Sequence, residues 1–189
     1  MATTVFVTGV SGFIGFAVAK TFRRQGYTVY GLVRSKEKST ALLREEVIHV
    51  IGDLNQEDTW KEYVAESGIV VDMVLNSYDV PDFEPNKRLV AIAQEVSKAT
   101  NRPKTVIYTS GIGVFGDRPN EVVDENTQVA AGTSPRSDYD EWFIKKRGIH
   151  PVVIRPVRVH GGSMGMWGFL FEAQGNSFEI MGRKDRRLS

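Results

Sequence analysis

Short runs of β-branched and aromatic residues alternate with longer stretches whose apolar positions recur every three or four residues. TTVFVTG (3–9), YTVYGLV (27–33), VIHVIGDL (47–54), VVDMVLNS (70–77), KTVIYTSG (104–111) and HPVVIRPV (150–157) read as six strands. Between them the pattern predicts helices over 13–26, 35–46, 55–68, 84–100 and 134–147. Gly26 closes the first helix and Ser35 is placed to cap the second. Strands that are apolar throughout, separated by amphipathic helices, predict an α/β doubly wound parallel sheet with helices on both faces, a Rossmann fold. The polar loop over 116–135 leaves the carboxyl end of the fifth strand, the end at which such sheets bind ligands.

Composition narrows the function classes. The 189 residues are 41% hydrophobic and 25% charged, a globular balance, and the formal net charge of +1 gives no electrostatic footprint for nucleic acid. The chain contains no cysteine, which excludes disulfides, zinc–thiolate sites and a thiol nucleophile. His49, His150 and His160 are too scattered in sequence to suggest a metal site. No apolar run reaches bilayer length and no leader-like segment opens the chain, so a cytoplasmic address is the expectation.

TGVSGFIG sets Gly9, Gly12 and Gly15 between the first strand and the first helix. That context calls for glycine: a tight turn, close backbone approach to a pyrophosphate, and packing of the helix on the sheet with no Cβ in the way. Thr8, Ser11, Phe13 and Ile14 complete the loop and the helix N-terminus, where free N–H groups and the helix dipole favour phosphate.

The GxxGxxG spacing, with GDL at 52–54, IYTSGIGVFG at 107–116 and IRPVRVHGG at 154–162, resembles the short-chain dehydrogenase/reductase superfamily. The likeness is to its extended and atypical branches, the epimerase/dehydratase-like and NmrA-like proteins, and it runs through nearly the whole chain. It implies a nicotinamide-cofactor domain over 1–160 and the start of an incomplete C-terminal substrate region over 161–189, the chain being either a fragment or a natural short form. It also implies that Asp53 and Leu54 face the adenine, with Asp53 alternatively capping the next helix, that Asn76 and Ser77 run beside the cofactor, and that Pro156 lines the nicotinamide side. The second strand ends in Arg34 rather than an acid, which favours NADP(H) over NAD(H), because a guanidinium pairs with a 2′-phosphate that a carboxylate repels.

Enzymes of this superfamily use a hydroxyl after the fifth strand and a tyrosine with a lysine four residues on. Here Gly111 occupies the hydroxyl position, with Thr109 and Ser110 just before it, and Phe143 rather than lysine stands four residues beyond Tyr139. Tyr139, Trp142 and Phe143 follow the i, i+3, i+4 spacing of a packing face. Ser110 and Tyr139 remain the candidate catalytic groups, with Arg136 one turn before the tyrosine as a candidate source of positive charge. The resemblance therefore implies an NADP(H)-dependent oxidoreductase or epimerase/dehydratase-like protein for a small carbonyl or alcohol, or alternatively a catalytically weak NmrA-like redox sensor.

Overall fold

The structure, a computed structural model, describes residues 3–75, 82–118, 120–132, 134–157 and 159–161. Met1–Val157 form one compact unit, described here; Arg158–Ser189 belong to a second. Six parallel strands build the sheet: β1 (Thr4–Val7), β2 (Thr28–Val33), β3 (Ile48–Ile51), β4 (Ile69–Asp72), β5 (Thr105–Thr109) and β6 (His150–Ile154). Their order is β3-β2-β1-β4-β5-β6, so the winding reverses between β1 and β4. A crevice opens outside the carboxyl ends of the strands at such a reversal.

The helices are α1 (Phe13–Arg24), α2 (Thr40–Arg44), α3 (Lys61–Glu66), α4 (Glu84–Thr100) and α5 (Pro135–Ile144). One face of the sheet packs Val5, Val7, Val29 and Val71 against Ala19 of α1 and Leu42 of α2. The other packs Phe6, Val70, Val106 and Tyr108 against Val64 of α3, Leu89 and Ala93 of α4, and Tyr139 and Phe143 of α5. The fold is thus the doubly wound Rossmann sheet expected from the sequence pattern.

Two expected helices are shorter than predicted. The 35–46 segment opens with a 3-10 turn at Lys36–Ser39, and Ser35 makes no side-chain capping bond. The 55–68 segment likewise opens with a 3-10 turn at Glu57–Thr59 before α3. Among the described residues, α5 alone has a full capping box: the Ser134 hydroxyl accepts from the Ser137 N–H while the Ser137 hydroxyl accepts from the Ser134 N–H. That cap and Pro135 fix the start of α5 near the carboxyl end of the sheet.

Candidate functional site

The glycine loop turns directly from β1 into α1. Gly9 has φ of +60°, a left-handed conformation, and a Cβ there would meet the Met73 carbonyl oxygen at 2.9 Å. A Cβ on Gly15 would stand 2.2 Å from the Gly9 carbonyl oxygen. The third glycine therefore lets α1 close on the loop itself, where the sequence suggested packing on the sheet. Gly12 is the N-cap of α1, with no side-chain capping bond and no acid in the first turn. The N–H groups around Phe13 and Ile14 thus belong to an uncapped, electropositive helix end.

Beside the loop lies a cleft of about 190 Å³, lined by Gly9, Ser11, Leu32, Val33, Arg34, Gly52, Asp53, Leu54, Val74 and Leu75. These residues come from the carboxyl ends of β1, β2, β3 and β4 and the segments that follow them. Gly9, Ser11, Arg34, Asp53 and Leu54 had been singled out in the sequence. Leu32, Val33, Gly52, Val74 and Leu75 had not, although their places at strand ends were the signal that could have found them. Asp53 Oδ1 accepts from the Asn55 backbone N–H at 2.9 Å and from the Asn55 amide at 2.8 Å. These bonds, and more weakly the Arg34 guanidinium, hold its carboxyl below the ordinary range. Asp53 therefore closes an Asx turn rather than capping a helix.

Thr8 has no exposed surface. Its hydroxyl donates to Asp72 Oδ1 at 2.7 Å and accepts from the Met73 N–H at 3.0 Å. The Asn86 amide of α4 donates to Asp72 Oδ2 at 2.8 Å and to the Val74 carbonyl at 3.2 Å. Thr8 is thus placed beneath the loop, bracing it. Asp72 and Asn86 were missed, because nothing local in the sequence announces a contact across 64 residues. Burial raises the Asp72 carboxyl above its usual range, against the opposing pull of the Asn86 and Thr8 bonds.

The other half of the crevice, over β5 and β6, gathers the remaining candidates. Thr109 ends β5 half-buried. Ser110 is 4% exposed, and its N–H bonds the Ile154 carbonyl. Pro156 offers its carbonyl to the Ile112 N–H. Tyr139 stacks on Phe83 at 4.4 Å and meets Tyr108 edge-on at 4.8 Å and Trp142 at 5.2 Å, which makes it the centre of an aromatic cluster. Its phenol is driven far upward, first by burial and then by electrostatic coupling to Asp72, Tyr108 and Asp140. Arg136 does not offset this. The guanidinium acts instead on Tyr108, whose phenol burial also raises, and its Nη1 lies 3.2 Å from where a Gly111 Cβ would be. Ser110 is near enough to act on the Tyr108 phenol, yet neither hydroxyl makes a hydrogen bond of ordinary geometry among the described residues. The lysines that follow Tyr139 in sequence point elsewhere: α5 ends at Ile144, Lys145 pairs with Glu141, and Lys146 sits 3.6 Å above the Trp142 ring. Arg155 of the segment after β6 pairs with the fully buried Asp140 at 2.9 Å, tying α5 to the sheet. Asn76 and Ser77 lie outside the described residues.

Comparison with known proteins matches this architecture. An uncharacterized protein of Schizosaccharomyces pombe is 30% identical over 167 residues, 83% of this chain and 54% of the relative. The yeast methylglyoxal/isovaleraldehyde reductase Gre2, complexed with NADPH, superposes with a TM-score of 0.59 at 18% identity, over 84% of this chain and 59% of its own. The Thermus thermophilus UDP-glucose 4-epimerase, complexed with NAD, gives 0.64 at 18% identity, over 89% and 60%. At that identity the two structures share the fold. The chain spans about half the length of the curated relatives it matches. The model of the NAD dependent epimerase/dehydratase family matches residues 5–163, and the chain belongs to that family.

Proposed function

We propose that the chain is the cofactor-binding part of an NADP(H)-dependent oxidoreductase or epimerase/dehydratase-like protein acting on a small carbonyl or alcohol. The observation that carries this reading is the cleft beside the glycine loop, with Arg34 in its wall and no acid at the end of β2. In this reading the uncapped end of α1, with Ser11, Gly12, Phe13 and Ile14, takes the pyrophosphate. Leu32, Leu54 and Val74 form apolar walls for the adenine, and Arg34 pairs with the 2′-phosphate. Thr8 and Gly15 hold the loop in shape without touching the cofactor. The bound nicotinamide supplies hydride chemistry; the protein positions it over β5 and β6, near Thr109, Ser110 and Pro156.

Calorimetric titration with NADPH and NADH tests the assignment. The parent chain is expected to prefer NADPH by about tenfold, equivalent to about 1.4 kcal/mol, and Arg34→Ala to remove the preference while leaving NADH affinity unchanged. A preference that survives Arg34→Ala overturns the NADP(H) assignment, and absence of NADPH binding at millimolar concentration overturns the cofactor reading altogether.

One observation favours the second reading, a cofactor-bound sensor with little turnover: Tyr139 is sealed in an aromatic cluster with its phenol driven upward and, among the described residues, no lysine paired to it. A panel of small carbonyls, with NADPH oxidation followed optically, separates the two. Turnover of any member supports the enzyme; tight NADPH binding with no turnover supports the sensor.

A further inference from the structure

We propose that Arg136 anchors an anion at the β5–β6 end of the crevice and selects substrates that carry a carboxylate beside the reacting carbonyl. Arg136 is half-buried, yet among the described residues it makes no hydrogen bond and no ion pair. Partly buried guanidinium groups elsewhere in the chain have carboxylate partners: Arg23 with Glu46, Arg118 with Glu121 and Arg155 with Asp140. The acids of its own helix and of the Tyr108 surroundings are engaged otherwise. Asp138 accepts from the Gly132 N–H, Asp140 holds Arg155, and Asp72 is held by Thr8 and Asn86. A cation partly withdrawn from water without a partner is unfavourable, so a half-buried guanidinium with none among the described residues marks a place for an anion.

The surroundings supply the rest of such a site. The Ser110 and Tyr108 hydroxyls, on residues 4% and 2% exposed, lie near each other, and neither makes a hydrogen bond of ordinary geometry among the described residues. Both are hydrogen-bond donors, and Tyr108 interacts electrostatically with Ser110 and Arg136. Gly111 keeps the space beside the guanidinium clear, since a Cβ there would stand 3.2 Å from Nη1. A planar carboxylate matches the guanidinium fork in two parallel bonds and leaves lone pairs for the hydroxyls. The place also fits the chemistry. The first turn of α5 lies on the β4-β5-β6 side of the winding reversal, opposite the Arg34 side. The substrate-selecting role rests on the cofactor reading above; the anion site itself does not.

The test uses oxamate, a non-reducible carboxylate, and its neutral analogue oxamide, titrated calorimetrically into the full chain with and without NADPH. The parent is expected to bind oxamate and not oxamide. Arg136→Met should weaken oxamate about tenfold or more, with Arg136→Lys retaining part of the affinity. Gly111→Ala, which leaves the helix and its charge intact, should give an intermediate loss by crowding Nη1. Oxamate affinity that is absent in the parent, unchanged in Arg136→Met, or matched by oxamide overturns the proposal. If NADPH fails to bind while oxamate binds in an Arg136-dependent way, the anion site stands and the cofactor reading falls.

Discussion

At Gly15 a single methyl group decides whether helix α1 can start where it does. Alanine would gain about 1 kcal/mol in helix propensity. Its Cβ would also press to 2.2 Å from a backbone oxygen that has nowhere to move, and overpacking costs about 1–3 kcal/mol or more. With a backbone contact that short the cost stands at the top of that range, so Gly15→Ala is expected to destabilise the chain by about 2 kcal/mol and to weaken NADPH by displacing the loop, whereas Gly113→Ala, with open space around it, is expected to be neutral. Urea unfolding of the two variants checks this, and a Gly15→Ala chain as stable as its parent contradicts it. The need for glycine at 15 was legible, because three glycines between a strand and a helix have a known geometric meaning. Its contact was not: the sequence pointed to the sheet, and the structure points to the Gly9 carbonyl. Tyr139 was legible as packing because i, i+3 and i+4 share a helix face. Arg136 beside Gly111 was not, since that approach depends on how α5 meets the end of β5.

Between elements, the informative join is the Thr8–Asp72–Asn86 cluster, which fastens the end of β1, the end of β4 and helix α4 together. Burial holds the Asp72 carboxyl above its ordinary value of 3.8. As pH rises from that value toward the raised native one, the folded chain keeps a proton that the unfolded chain has released. The folded state then binds more protons, so Asp72 contributes less stability as pH increases. Asp72→Asn lacks this titration, and the parent-minus-variant difference in unfolding free energy should shrink as pH is raised from about 4 to about 7. Urea titrations at several pH values measure it; a difference that is flat or grows with pH rules the account out. Strands were legible throughout because continuous apolar runs such as Val5–Phe6–Val7 have few alternatives in a parallel sheet. The 35–46 and 55–68 segments were over-read as full helices. Leu42 is the buried side chain of α2 and Val64 that of α3, so little apolar surface rewards extending either beyond one or two turns.

Across the unit Met1–Val157, β1 lies between two cores, with Phe6 facing one and Val5 and Val7 facing the other, all three without exposed surface. Neither face can open without uncovering the strand that the other face needs, so this unit is expected to unfold in one step. The glycine loop begins where β1 ends, and a ligand seated there binds only the folded form. By mass action, NADPH at a hundredfold excess over its dissociation constant should stabilise the chain by about 2.7 kcal/mol. NADH, if bound tenfold more weakly, should at the same concentration give about 1.4 kcal/mol, and Arg34→Ala should bring the two shifts together. Hydrogen exchange at the β1, β2 and β4 amides offers the most direct reading, because these strands surround the winding reversal and their protection should rise together with the ligand. Equal shifts from NADPH and NADH in the parent would remove Arg34 from the site. Protection that rose in β1 but not in β2 or β4 would separate the loop from the fold it is argued to report on.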